Sequence, residues 1–543
     1  MSGTVIFNQM ELTGANRILY PVITGLLLWA AWPAKGLAPL LFVALVPILI
    51  LEYQYFVGEF KGKRIRLFWF AYLGFFIFNL LTTWWIVYAS LFGAVMAVIF
   101  NSLFMTLAFY FAHLIRVKLK GRTGYIPLIA LWLAFEYLHM NWDLSWSWLN
   151  LGNGFASWYK VVQWYEFTGA LGGTLWILIS NVVITQLIVS YQKQEIQKYN
   201  QQLNTVVILI LLPVVSSLIM YVSYREKEAP VKIAVIQPNI DPYNEKFSGM
   251  TSTEQLDRIL ILADSVVDPT TQFVVAPETA LPDGIWENQL TQHEHYQRLV
   301  DFMSDKPNLN WVIGLASNYY YEDSSTKSIT ARKFRDAEGY YDSYNTALFI
   351  DANKNFQLHH KSRLVPGVEK LPFPVLFSFF ENFAIELGGA SGSLGTQKSP
   401  SVFKGDGVPS IAPVICYESI YGEYVNGYIQ KGASLIFIIT NDGWWSDTPG
   451  YRQHLRYASL RSIENRRSIA RAANTGISAF INQRGDIQQA TSWWVPAAIS
   501  GTLNANESRT IYSRTGDLLG WSSVWISLAL TLAAFKVAKT RKS

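Results

Sequence analysis

Three side chains, Glu278, Lys361 and Cys416, form a coherent set for acyl transfer. The only cysteine lies in residues 410–419, Ser-Ile-Ala-Pro-Val-Ile-Cys-Tyr-Glu-Ser, where an apolar, β-branched run turns polar directly after the thiol. That pattern predicts a buried strand ending at the sulfur and a turn beyond it. A stiff strand fixes a nucleophile, and the following turn opens backbone N–H groups to a substrate. Glu278 follows a second apolar run in Phe-Val-Val-Ala-Pro-Glu-Thr-Ala-Leu-Pro, and Lys361 follows strand-like residues 356–359. In layered α/β domains, sites form at strand ends, where loops converge. There Glu278 can take the thiol proton as general base. Lys361 can lower the thiol pKa and stabilise an oxyanion beside a backbone N–H. Each residue also has a plainer reading. Free cysteines mostly act as small hydrophobes, and a lone Glu or Lys at a strand end is usually a cap or a solvated charge. The chemistry rests on the combination.

The elements that would position this set begin after Arg225-Glu-Lys-Glu-Ala-Pro, where the composition turns abruptly charged. Apolar runs at 232–237, 273–277, 311–316, 346–351, 411–416, 435–440 and 477–483 predict buried strands. Segments 253–267, 294–304, 420–430 and 451–465 predict helices, the first behind a capping-box signature at Ser252-Thr253-Glu254-Gln255. Strands alternating with helices argue for a layered α/β domain around a buried sheet.

The rest of the chain reads as membrane. Of 543 residues 51% are hydrophobic and only 15% charged, well below the quarter or so usual in soluble proteins. Apolar runs at 18–32, 37–51, 67–88, 92–115, 125–138, 171–191, 205–222 and 518–537 predict about eight spans, the first, second and fifth being short. Lys61, Lys63, Arg64, Arg66, Arg116, Lys118, Lys120, Arg122, Lys193, Lys198, Lys536, Lys539, Arg541 and Lys542 then all fall on one side, which should be the cytoplasm. The expected division is 1–224 as a transmembrane domain of seven helices, 225–517 as an extracytoplasmic domain, and 518–543 as a last span with a basic tail. The net charge of +5 is thus a consequence of topology, and a nucleic-acid partner is not expected. The first run lacks an A-x-A-like cleavage site and reads as a retained helix.

Residues 140–173 hold Trp142, Trp146, Trp148, Trp158 and Trp164, either an interfacial aromatic belt or a wall for a lipid chain. Glu136 and His139 close the preceding run, at an interfacial depth. The very apolar 371–383 could form a lid dipping into the bilayer or a core helix, and 388–395 reads as a glycine-rich hinge rather than a phosphate cradle. His359, His360 and His454 lack zinc-ligand spacing, and one cysteine excludes a disulfide, so neither a metal nor another cofactor is expected.

Ala-Pro-Glu-Thr-Ala-Leu-Pro, the Lys361 segment and Val-Ile-Cys-Tyr-Glu resemble the carbon–nitrogen hydrolase (nitrilase) superfamily with its Glu-Lys-Cys triad. Asn441-Asp442-Gly443-Trp444-Trp445, Asp447-Thr448-Pro449-Gly450, Gln453-His454 and Arg471-Ala-Ala-Asn-Thr-Gly-Ile-Ser478 narrow the resemblance to its membrane-embedded branch, the apolipoprotein N-acyltransferase family. The resemblance implies an αββα sandwich and an enzyme of the bacterial inner membrane with its catalytic domain on the periplasmic side. It implies an acyl chain taken from a phospholipid, held as a thioester on Cys416, and passed to the α-amino group of a diacylglyceryl-cysteine lipoprotein. A working monomer is expected. By motif position Glu278 is base, Lys361 oxyanion stabiliser and Cys416 nucleophile, with Glu369, Tyr417, Glu418, Asn345, Trp148 and Phe247 in supporting positions. Two departures stand out: Pro366-Gly367-Val368-Glu369 where the family usually has Pro-Phe-Gly-Glu, and Phe247 where it has a mobile-loop tryptophan. Two other readings remain: a membrane-tethered amidase in which water resolves the thioester, and a lipid-binding module with a vestigial site.

Overall fold

The computed structural model describes residues 17–33, 36–59, 63–370 and 393–539. The glycine-rich stretch up to residue 392 and the apolar 371–383 lie outside them. Apolar helices occupy every predicted run: α1 (Leu19–Ala31), α2 (Val46–Val57), α3 (Ile65–Thr83), α4 (Leu91–Lys118), α5 (Ile126–His139), α6 (Ala170–Gln192), α7 (Ile196–Ser223) and, after the soluble elements, α12 (Leu518–Lys539). Six are long and apolar enough to cross a membrane, counting the 3-10 turns that extend α2 and α3, and the chain is a membrane protein. Two, α1 and α5, are shorter at 13 and 14 residues.

The second run differs from its expected bounds. A 3-10 turn, Ala38–Phe42, precedes α2, which Pro47 opens without loss because the first helical turn needs no donor there. The helix then continues past Leu51, because Glu52 is buried against His113 Nδ1 (2.7 Å) and Arg116 of α4. A carboxylate that ends an apolar run in sequence is met here by a histidine and an arginine. α7 starts at Ile196 rather than 205, its first turns being polar, and only 6% of its apolar window is buried within the protein. Most of that surface faces outward.

Thirteen strands build the rest among the described residues. β13 (Ala497–Asn504), β1 (Pro230–Gln237), β2 (Phe273–Val275), β4 (Asn310–Tyr321), β6 (Tyr340–Ile350) and β5 (Arg332–Lys333) lie side by side, with β3 (Leu281–Trp286) on β4 and β7 (Phe356–His360) on β6. The second sheet runs β12 (Ile487–Gln488), β11 (Ala479–Ile481), β10 (Ile469–Ala473), β9 (Leu435–Thr440), β8 (Ile411–Ile415). The strands beside the site, β1–β2–β4 and β8–β9–β10, pair in parallel. They are covered on both faces, which accounts for their near-continuous apolar composition.

Along β1, Val231, Ile233 and Val235 enter the core between the sheets with Phe437, Ile439 and Phe349. Ala234 and Ile236 face the opposite way, onto Leu256, Ile259 and Leu299 of α8 (Ser252–Asp264) and α9 (Glu294–Phe302). On the far side, α10 (Gly422–Gln430) and α11 (Pro449–Asn465) cover the second sheet, completing an αββα sandwich. These two helices do not face water. Tyr424, Val425, Leu455 and Tyr457 belong to one apolar cluster with Trp32, Trp85, Trp148 and Leu171 of the helical half.

Two sequence expectations need correction. The α8 cap is Thr251, whose hydroxyl accepts from Glu254 N while Glu254 accepts from Thr251 N (2.8 Å). It lies one residue before the expected serine. The 477–483 strand is only β11, and β10 was not expected because Arg471 interrupts its apolar run. The Arg471 charge is buried against Asp442 (2.6 Å).

Candidate active site

The C-terminal ends of β2, β7 and β8 converge, and each carries one member of the predicted set. β8 is the edge strand of its sheet, which lets Pro413, lacking an N–H, lie within it. Directly after it Cys416 adopts φ 47°, a left-handed conformation costly for a residue with a Cβ. A 3-10 turn, Cys416–Ile420, follows, and its first N–H groups have no partners inside the turn. Glu418 braces it: one carboxylate oxygen accepts from Ile415 N (2.9 Å), the other from Ser362 N (2.6 Å). His359 Nε2 (3.4 Å) and Tyr428 Oη (3.2 Å) also reach Glu418. Glu418 therefore joins the Cys416 turn to the residue after Lys361. Burial raises its pKa, but His359 and the two backbone donors more than offset this, and the net shift is downward.

Glu278 sits past β2, before Thr279 at φ 46°. The turn approaches β4 at Gly314, where a Cβ would lie 2.5 Å from Thr279 N and 2.6 Å from Glu278 Cα. Only glycine fits this approach. Glu278 accepts from Lys361 Nζ (2.9 Å), Asn345 Nδ2 (2.7 Å) and Asn441 N (3.1 Å). Lys361 is 1% exposed and also donates to Glu369 Oε1 (2.7 Å), while its own N–H bonds Asn345 O (2.8 Å). Asn345 of β6 further reaches Glu369 (3.2 Å). The Gly367-Val368 departure does not keep Glu369 away. With Gly367 at φ 79°, a tight turn bonds Gly367 N to Lys370 O and Glu369 N to Val365 O, and Glu369 caps Val365 N (2.8 Å).

These contacts set the resting charges. For Glu278, burial raises the pKa, yet the Lys361 charge and the bonds from Lys361 and Asn345 carry it below the usual carboxylate range. Burial would lower Lys361, but Glu278 and Glu369 hold it well above an ordinary lysine. Burial pushes the Cys416 thiol up, and the negative charge of Glu278 adds to this, with Lys361 opposing. The resting site is thus an ion pair beside a neutral thiol. Its proton can leave only toward a base as an electrophile arrives.

The helical half supplies the facing wall. Trp148 is fully buried and donates to Gln453 Oε1 of α11 (2.6 Å). Trp146 stacks on Trp148 (5.7 Å, 7°) and on Tyr417 (6.1 Å, 20°), and Trp85 bridges Trp148 and Trp445 at 4.9 Å each. Tyr417 donates to Ser145 O (3.1 Å). Glu136 and His139, expected at an interface, pin this loop from below: Glu136 accepts from Leu151 N (2.8 Å) and Thr174 Oγ1 (2.6 Å), and His139 accepts from Trp142 Nε1 (2.8 Å). Trp142 and Trp158, at 38% and 41% exposed, fit the aromatic-belt reading instead.

Comparison with known proteins agrees with this architecture. Residues 24–183 match the apolipoprotein N-acyltransferase N-terminal domain, and residues 232–512 match the carbon–nitrogen hydrolase model. A protein of Chlorobaculum tepidum called apolipoprotein N-acyltransferase is 30% identical over 530 residues, covering 95% of this chain and 96% of its own. The chain belongs to the apolipoprotein N-acyltransferase family. A family member from Geobacter metallireducens is 25% identical over 538 residues, covering 95% of both chains. The crystal structure of an amidase from Nesterenkonia sp. aligns with 52% of this chain and 95% of its own at 16% identity, TM-score 0.35.

Within this acyltransferase the structure gathers Glu278, Lys361, Glu369, Asn345, Cys416, Tyr417, Glu418 and Trp148 around one site. Phe247 stands apart, 66% exposed and stacked on Trp444 (6.3 Å). The neighbouring Lys246 was not singled out in the sequence. It is buried, with Nζ on Thr279 Oγ1 (2.9 Å) and Glu278 O (3.3 Å). Burial lowers its pKa to about 8, with Glu278 and Cys416 opposing. A lysine between Glu and Phe gives no local sign of burial. Its nearest sequence signal was its place beside Phe247.

Proposed function

We propose that the protein transfers an acyl chain from a membrane phospholipid, through a Cys416 thioester, to the N-terminal amine of a diacylglyceryl-modified apolipoprotein. The observation that carries this reading is the buried Glu278–Lys361 ion pair beside the thiol, set against an aromatic wall that belongs to the apolar helices. In the first half-reaction Sγ attacks the ester carbonyl and the thiol proton passes to Glu278. Lys361 and the Tyr417 N–H hold the oxyanion, and the C–O bond breaks as the lysolipid alkoxide takes the proton back from Glu278. In the second half the acceptor amine attacks the thioester and gives a proton to Glu278. The C–S bond then breaks, and the proton returns to the thiolate. Glu369 and Asn345 orient Lys361, Glu418 holds the nucleophile's turn, and Tyr417 with Trp148 lines the acyl side.

The division into 1–224, 225–517 and 518–543 supports delivery of both lipids from the bilayer. With eight spans, the basic segments face the cytoplasm of a bacterial inner membrane and the sandwich stands on the periplasmic side, working as a monomer. The test is mass spectrometry after incubation with phospholipid. Cys416 should gain the acyl mass, Cys416→Ala, Glu278→Ala and Lys361→Ala should not, and added diacylated lipopeptide should discharge the adduct as N-acyl peptide. Release of free fatty acid without N-acylation would overturn the reading in favour of an amidase.

A further inference from the structure

The mechanism above leaves a buried imidazole beside Cys416 unused. His454 of α11 is 1% exposed, and its Nε2 lies 3.2 Å from the Cys416 carbonyl oxygen and 2.8 Å from Ser419 Oγ. The Ser419 hydroxyl already donates to that same carbonyl (2.7 Å). In the Nε2–H form of the ring this nitrogen donates to that carbonyl. The other ring nitrogen, Nδ1, lies 2.9 Å from Asp442 Oδ1 and 3.1 Å from Arg471 Nη2. Asp442 is fixed by Arg471 (2.6 Å) and Thr440 Oγ1 (2.8 Å). The carbonyl end of Cys416 is thus linked through the His454 ring to one buried carboxylate.

The carbonyl that His454 grips belongs to the same peptide unit as the Tyr417 N–H. The geometry points to His454, held by Asp442, as a positioning residue that aims and polarises the Cys416–Tyr417 peptide, so that its N–H meets the oxyanion formed on the Cys416-bound acyl carbon. Two physical effects carry this. A donor on the carbonyl strengthens the N–H of the same amide by about 10–30%, as in any hydrogen-bonded chain. The grip also resists rotation of a peptide whose left-handed φ at Cys416 would otherwise relax. No proton is transferred by His454 in this role. It donates one hydrogen bond throughout, and the thiol proton still goes to Glu278.

The inference rests on the thioester reading and is tested separately from it. The readouts are the rate of acyl-Cys416 formation from phospholipid and the rate of Cys416 alkylation by iodoacetamide, which builds no oxyanion. His454→Leu should lower the acylation rate about 100-fold, the usual scale for losing one oxyanion donor, with KM for the lipid and the alkylation rate near wild type. His454→Gln, which keeps an N–H at similar reach, should recover part of that loss. Asp442→Asn should lower acylation in the same selective way, and covers the case in which His454→Leu does not fold. Full acylation in His454→Leu or Asp442→Asn overturns the proposal. So does alkylation falling in step with acylation, which marks a collapsed turn. Absence of acylation in the wild type would instead refute the thioester reading itself.

Discussion

The turn after β8 and the turn after β2 each hold a left-handed residue, Cys416 at φ 47° and Thr279 at φ 46°, yet they are braced by different means. Around Cys416 the bracing is polar and comes from buried side chains: Glu418 on the preceding N–H, Ser419 and His454 on the following carbonyl. Around the Glu278 backbone it is largely steric, through Gly314, with Lys246 of a peripheral loop on the Glu278 carbonyl, while Lys361, Asn345 and Asn441 hold the carboxylate. That loop also carries Tyr243, whose hydroxyl reaches Trp444 O (2.9 Å) and Tyr88 O at the end of α3's extension (3.3 Å). The Cys416 backbone is thus braced by side chains of the sandwich alone, whereas the Glu278 backbone is linked to a loop that touches the membrane helices. Rigid placement suits the atom that forms the covalent bond. Linkage to the bilayer suits the group that must act only when a lipid has arrived.

The largest expected effect tests the polar brace. Glu418→Gln presents an amide N–H to a backbone donor that now meets a carboxylate, leaving a buried group unpaired at a cost of about 1–3 kcal/mol. We expect acyl-Cys416 formation to fall about 100-fold, as displacements near 1 Å do, together with a lower thermal midpoint. Unchanged acylation would show that the turn holds without it. The steric brace should matter somewhat less. Gly314→Ala must push Glu278 and Thr279 away, and we expect acyl-enzyme formation to slow about tenfold, with Cys416 alkylation less affected than in Glu418→Gln. Equal losses in both assays for both variants would erase the distinction drawn here.

The smallest effect concerns pH. Burial brings the Lys246 ammonium down to about 8, so its charge is present at neutrality and is lost as pH rises through that value. Glu278, Thr279 and Cys416 face it, and Glu278 and Cys416 oppose the loss. Acylation should therefore decline on the alkaline side of about pH 8, and Lys246→Arg should move that limb upward because a guanidinium keeps its proton. An alkaline limb identical in Lys246→Arg and wild type would remove Lys246 from this account.

Much of this architecture was legible because the signals were local. Glu278 and Cys416 each follow an apolar run, and Lys361 a strand-like one, that is a strand in the structure, and most of the helical runs are long and continuous. What escaped depended on partners far away in sequence. β10 was hidden by Arg471, whose charge is met by Asp442, and β13 has no signal until it pairs with β1. The resemblance pointed to Trp148, but nothing local showed that Gln453, 305 positions later, accepts its N–H. Lys246 looked like any solvated lysine because no local pattern announces a buried one.

β1 and β13 pair antiparallel from Pro230 opposite Asn504 onward. The chain therefore enters and leaves the sandwich side by side, as if it hung from one stalk. A body on a single stalk would swivel. Three contacts made by α11 prevent it: Tyr457 with Trp32, Gln453 with Trp148, and Glu464 with the N–H of Ala170. They fix the height and heading of the strand ends above the helices. The sandwich is a lever bolted at its free end, and loosening those bolts would let the nucleophile drift out of reach of the bilayer while leaving its own geometry intact.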